Sequence, residues 1–295
     1  MEDKKLNIIE FTDVEDLYCI GDIHGKFNSI KGFIKQNDIR DSLIIVCGDC
    51  GLGFESTKHY EQTVFPDIIH ILKKYNDKLI FIRGNHDSRT IFDSGIFNYD
   101  ELKVVPDYTV VNIYYNEDKC AVKHSILCVG GATSIDRTYR LSLERQQVLK
   151  KMAFSLCSEE EAYRKIKRLY WDDEAPYYDE ERLKMIDKTV CPIDIVCSHT
   201  APSFCYPQTK EGLDYWLTQD KNLSEDLDNE RKVFDNIYSY LKENGFELSK
   251  WCYGHFHKHN TEYIDGVKFC LLDMDRGSKL YCFSPCNKQE VVEKD

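Results

Sequence analysis

LIIVCGDCG, residues 43–51, runs from five apolar residues straight into Gly48 and Asp49. A short β-branched run bounded by glycine reads as a strand buried on both faces and ending in a polar turn. The same pattern recurs on either side. DLYCIGDIHG (16–25) reads as a strand ending at Gly21 that delivers Asp22 and His24. KLIFIRGNHD (78–87) reads as a third strand that delivers Asn85, His86 and Asp87. Between them, FNSIKGFIKQND (27–38) puts Phe27, Ile30, Phe33 and Ile34 at helical spacing, and HYEQTVFPDIIHILKKYN (59–76) is a second helical pattern, interrupted or restarted at Pro66. The opening is therefore βαβαβ, which predicts a parallel sheet.

The pattern then changes. KVVPDYTVVNIYYN (103–116) and HSILCVGGATS (124–134) read as strands with no helix between them. Residues 141–190 are charged and helical in character. PIDIVCSHTAP (192–202) is another buried strand, and SEDLDNERKVFDNIYSYLKENG (224–245) is a long amphipathic helix closed by Gly245. KWCYGHFH, VKFCLLDMD and KLYCFSP follow as strands. No composition shift or linker divides the chain, so residues 1–295 are expected to form a single domain carrying a helical insertion at about 141–190.

Composition narrows the function. The formal net charge of −12 disfavours nonspecific binding to long nucleic acids, yet leaves room for a small phosphorylated substrate at a metal that reverses the local field. No apolar run of about 18 residues predicts a membrane span, and the N-terminus lacks the order of a signal peptide, so a cytoplasmic protein is expected. The thirteen cysteines are odd in number, and several fall inside apolar runs, which suits reduced, buried thiols.

Five strand ends carry the chemistry: Asp22 with His24, Asp49, Asn85 with His86, His199, and His255 with His257. In an open α/β sheet, polar groups at carboxyl ends of neighbouring strands share one edge. Imidazoles and carboxylates together suit Mn, Fe, Zn, Ni or Co better than Mg or Ca. Eight groups exceed the needs of one ion. They suit two ions sharing a carboxylate, with one residue left for proton transfer, a known arrangement for phosphate ester hydrolysis. His59, His70, His124 and His259 have no such context and read as surface or helix-face residues.

Taken together, the blocks GDIHG, GD, RGNHD, SH and GHFH resemble the calcineurin-like metallophosphoesterase superfamily. GDCGLGFE, GGATSIDRTYR, the WDDE of residues 171–174 and SHTAP are similar to a group of small bacterial and phage members. The resemblance implies a four-layer α/β/β/α sandwich. It assigns Asp22, His24 and His257 to one divalent transition-metal ion, Asn85, His199 and His255 to a second, and Asp49 to both, with manganese the first expectation. The nucleophile would be a water bridging the two ions. His86 would protonate the leaving group or stabilise charge on the phosphoryl oxygens, with Asp87 or Glu55 orienting it. Arg83, Arg137 and Arg140 are candidate phosphate clamps. Leu52 and Gly53 stand where the phosphoprotein-phosphatase branch carries Asp and Arg. That difference, with the second histidine of GHFH, favours a phosphodiester or nucleotide substrate over a phosphomonoester or phosphoprotein. A noncatalytic scaffold on this fold is one competing reading. A zinc or redox site built on Cys47 and Cys50, with Cys282 and Cys286 completing a zinc set, is another.

Overall fold

A computed structural model describes residues 5–115, 118–119 and 121–273, and the backbone of 281–283. Twelve strands lie among these residues: β1 (Ile8–Phe11), β2 (Asp16–Ile20), β3 (Ser42–Cys47), β4 (Lys78–Ile82), β5 (Leu102–Val104), β6 (Thr109–Tyr114), β7 (Val122–Val129), β8 (Ile195–Ser198), β9 (Lys250–Tyr253), β10 (Asn260–Ile264), β11 (Val267–Leu271) and β12 (Tyr281–Phe283). They form a seven-stranded sheet, β1-β6-β7-β8-β9-β11-β10, and a five-stranded sheet, β12-β2-β3-β4-β5. The run β2-β3-β4-β5 is parallel throughout, as the opening pattern predicts.

Strand periodicity builds the layers. Along β3, Leu43, Ile45 and Cys47 point into the space between the sheets, where they meet Ile126, Ile195 and Cys197 of the larger sheet. Ile44 and Val46 point the other way, onto the helices Phe27–Gln36 and Phe65–Tyr75. Every residue of β3 is buried, because both of its faces are covered. The outer face of the larger sheet is covered by the helix Leu223–Glu243, which buries Phe234, Ile237 and Leu241 against Leu127, Val196, Trp251 and Phe269. Gly245, at φ +71°, closes that helix. The result is four layers: helix, sheet, sheet, helix.

One expectation, the helical insertion, needs correction, and two strands are unanticipated. β1 and β10 carry no signal strong enough to be read as strands beforehand. β10 alternates half-buried and exposed residues at a sheet edge, so hydrophobicity marks it poorly. The helical pattern of 59–76 restarts at Pro66, as expected. The proline sits in the first turn of Phe65–Tyr75, where its missing N–H would lack a partner anyway, and a π-turn at Tyr60–Val64 precedes it. The insertion is only partly helical. Its long helix, Arg137–Ser155, starts before residue 141, and 164–179 contains no regular element.

Asp77, just before β4, is fully buried. One of its oxygens accepts the Ser42 N–H at 3.1 Å, and the other has no hydrogen-bond partner among the described residues. Burial pushes its carboxyl up to about 7. The folded chain therefore keeps a proton that an unfolded aspartate releases near pH 4, and stability falls as pH rises through that window. Asp77→Asn should flatten this slope. Between pH 5 and 8 its Tm should drop less than the parent's by roughly 2–4 °C, about 1 kcal/mol. Equal slopes in thermal melts would contradict this.

Candidate metal centre

The carboxyl ends of β2, β3 and β4 meet those of β8 and β9 at one edge of the sandwich, and the five polar turns converge there. Their close approach requires glycine. A Cβ at Gly84 would run into the backbone and carboxylate of Asp49, and one at Gly254 into the carboxylate of Asp22. His24, Asp49, His255 and His257 all have positive φ, at 44°, 47°, 69° and 50°. Non-glycine residues seldom adopt this conformation, and it clusters where packing holds functional groups in place.

Asp22, His24, Asp49 and His257 each offer one ligand atom, all within 4.8 Å of one another. Asp22 Oδ1 accepts the His255 N–H at 2.9 Å. Its Oδ2 is buried, with His257 Nε2 3.0 Å away. On the other side of Asp49, Asn85 Oδ1 lies 3.1 Å from His199 Nε2 and 3.0 Å from His255 Nδ1. Asp49 faces both groups. Its Oδ2 lies 3.9 Å from His24 Nδ1 and its Oδ1 3.3 Å from His199 Nε2. All seven ligands expected from the sequence are therefore brought together.

The electrostatics favour cations. Asp22 and Asp49 are each 1% exposed. Burial alone would raise Asp49, but the imidazoles of His86 and His199 hold it well below the usual carboxylate range. Burial alone would lower His199, yet Asp49 and Asp22 push it up to about 9. A proton there answers the same field that a metal ion would. With the buried Asp22 Oδ2 and the mixed nitrogen and oxygen donors, this arrangement fits divalent metal ions.

His86 borders the centre, with Nε2 3.7 Å from Asp49 Oδ2 and its ring edge-on to His24. Burial, reinforced by Arg140 against the pull of Asp49, lowers it to about 4, so the ring is neutral near pH 7. Arg140 presents Nη1 at 2.9 Å from Nδ1 and Nη2 at 3.2 Å from Nε2. A neutral ring has one acceptor nitrogen, so one of these contacts is a hydrogen bond and the other is proximity. Arg140 is itself held by Asp136 at 2.7 Å.

The remaining candidates sit elsewhere. Asp87 does not orient His86. Its carboxylate accepts the N–H groups of Cys50, Gly51, Leu52 and Gly84 at 2.7–2.9 Å, so it shapes the turn after β3. Glu55 is exposed and pairs with Lys167 at 3.4 Å. Arg83 is fully buried and cannot clamp a phosphate. It bonds Asp107 at 3.0 Å and the carbonyl of Glu174 at 2.6 Å. Arg137 is engaged by Asp220 and Asp226, each at 2.5 Å. Of the three arginines, only Arg140 reaches the centre.

Cys47, at the end of β3, and Cys50, in the turn after it, face opposite layers. Cys47 lies between the sheets, while Cys50 lies under the outer helices and donates its S–H to the Ile82 carbonyl at 3.2 Å. They form no chelate. Cys47 packs instead with Cys19 and Cys197, their sulfurs within 4.8 Å of one another, inside an apolar shell. Cys286 and the side chain of Cys282 lie outside the described residues.

Sequence reasoning missed two groups. Asn85 Nδ2 donates to Ser134 Oγ at 2.8 Å, and Ser134 Oγ donates to Glu174 Oε2 at 2.7 Å. Arg83 fixes the segment that carries Glu174, so this relay aims Asn85 Oδ1 at His199 and His255. The WDDE block was the available signal, but it does not say what its glutamate touches. Lys210 Nζ lies 3.4 Å from His255 Nε2, and no sequence pattern marks it.

A family model described as calcineurin-like phosphoesterase matches residues 16–259. Among solved structures, the chain is similar to a phosphopantetheinyl hydrolase from Mycobacterium tuberculosis, with 15% identity, a TM-score of 0.44, and 90% of this chain and 92% of that one covered. It is also similar to a dimetal phosphatase from Danio rerio, with 12% identity, a TM-score of 0.48 and 92% of each chain covered. Among the described residues no helix is long and apolar enough to cross a membrane.

Removing the relay should loosen one ion more than the other. Glu174→Ala should weaken binding at Asn85, His199 and His255 by about 10–100-fold, with the Asp22 side changed little. Calorimetric manganese titration would resolve the two steps. Two unchanged affinities would refute the relay.

Proposed function

The chain belongs to the calcineurin-like phosphoesterase family, and on that premise we propose that it is a two-metal phosphodiesterase acting in the cytoplasm on small phosphorylated molecules. Metal-dependent hydrolysis of a phosphoric ester follows from the family. The preference for diesters is the finer reading. It is supported by His257, which completes the set of Asp22 and His24, and by Leu52 and Gly53 in place of the acid and arginine of the phosphoprotein branch. The net charge of −12 supports small substrates over long nucleic acids.

The observation that carries the proposal is Asp49, whose two oxygens face two separate ligand sets. Asp22, His24 and His257 would hold one ion and Asn85, His199 and His255 the other, with manganese the first candidate. Such ions supply positive charge to the phosphoryl oxygens and acidify water. The side chains do the rest. His86, neutral and buried, offers an N–H to the departing oxygen. Arg140 supplies a fixed positive charge beside it, where negative charge grows during bond cleavage. Asp136 keeps that guanidinium in place. A scaffold that had lost catalysis would have no need for His86 and Arg140 held together at this edge.

Purified protein loaded with manganese should hydrolyse bis(p-nitrophenyl) phosphate faster than p-nitrophenyl phosphate. His86→Ala should lower kcat by about 10²–10⁴-fold while metal content stays the same. Failure to hydrolyse either ester with two ions bound would count decisively against the proposal. Faster cleavage of the monoester would overturn only the diester preference.

A further inference from the structure

A cavity of about 200 Å³ opens beside His255, and His86 is not among the residues that line it. Leu213, Leu217, Leu227 and Phe256 line it, together with Lys210. His86 packs instead against His24 and Phe54, neither of which borders the cavity. The three leucines are half-buried, so they present apolar surface to the space they enclose. Two charged residues in the wall are already engaged. Glu230 accepts the Thr133 N–H, and Arg231 donates to the carbonyls of Ala201, Cys205 and Pro207.

Lys210 is different. Its ammonium makes one hydrogen-bond contact among the described residues, the 3.4 Å approach to His255 Nε2. His255 turns its Nδ1 toward Asn85 and the ligand set. A histidine that ligates through one nitrogen carries its proton on the other. An N–H cannot accept from an ammonium, so in a loaded centre Lys210 loses that acceptor and its ammonium is open to an oxygen of a bound ligand, with the more distant carboxylates of Asp49, Asp22 and Glu230 favouring its charged form. Asp228, exposed in the same wall, disfavours a second anionic group on the ligand. In size, an apolar cavity of about 150 Å³ accepts benzene.

We propose that this cavity holds the retained organic group of a phosphodiester, a small uncharged group about the size of a benzene ring or a short alkyl chain, while Lys210 binds a phosphoryl oxygen of the same ester. The inference rests on the phosphodiesterase reading above and narrows its substrate class. In the reaction, a bond forms from a water oxygen to phosphorus and the bond from phosphorus to the departing oxygen breaks. The proton that the attacking water releases balances the one the departing oxygen takes up, while the neutral His86 ring donates an N–H hydrogen bond to that oxygen. The ester bond to the group in the cavity stays intact, so the products are an alcohol and the monoester of the retained group.

Those monoesters test the cavity without catalysis. Calorimetry on the manganese-loaded full chain with methyl, propyl, butyl and phenyl phosphate should show Kd tightening by about fourfold per added methylene. Leu227→Trp, which fills the cavity, should abolish that gradient, and Leu213→Trp serves if the first variant melts early. Lys210→Met should weaken all four ligands by at least tenfold. Equal affinities across the series in the parent, or a gradient that survives both tryptophan variants, would overturn the assignment. Butyl p-nitrophenyl phosphate and p-nitrophenyl phosphate form a second arm. Cleavage of neither by protein carrying both ions would overturn the phosphoesterase reading instead, and the binding gradient would still decide the cavity.

Discussion

Two carboxylates, Asp22 and Asp49, are buried almost completely at the seam between two sheets. Taking an ionised carboxylate out of water costs several kcal/mol, and the cost stands unless positive charge answers it. Much of the neighbouring architecture supplies or admits that charge. Imidazoles approach from both sheets. Glycines clear the path where one turn meets the next, at Gly84 and Gly254. Four of the proposed ligands accept a left-handed backbone to reach their places. The rise of His199 to about 9 measures the same demand in protons.

The site is built in layers outward from those carboxylates. Asp87 gathers four backbone N–H groups and so fixes the turn that presents Asp49. Arg83 ties Asp107 to the segment bearing Glu174, and Glu174 through Ser134 sets the amide of Asn85. Arg137 joins the insertion helix to Asp220 and Asp226, near the elements that wall the cavity by Lys210. The insertion thus carries one side of the centre, with Arg140 reaching His86 from its first turns.

Much of this was legible in the sequence. Apolar runs ending in glycine and a polar residue are read directly, because a parallel strand is buried on both faces and its carboxyl end is where the chain turns. The proposed metal ligands came from that repetition and from the family pattern. What stayed hidden concerns direction. A sequence shows that Arg83 follows a strand but not that its guanidinium turns inward to Asp107. It shows Asp87 beside His86 but not that the carboxylate faces the backbone of the preceding turn. The spacing of Cys47 and Cys50 suggests a chelate, yet the end of β3 sends the two side chains to opposite layers. Lys210 lies in an irregular loop, where neither period nor motif marks a functional residue.

The central claim is that Asp49 is shared by two cations. Anomalous diffraction at the manganese edge, from crystals of the manganese-loaded protein, tests it directly. The account predicts two peaks flanking Asp49, one among Asp22, His24 and His257 and the other among Asn85, His199 and His255, both weakened in Asp49→Asn. A single peak that does not touch Asp49, or two peaks that persist undiminished in Asp49→Asn, would contradict it.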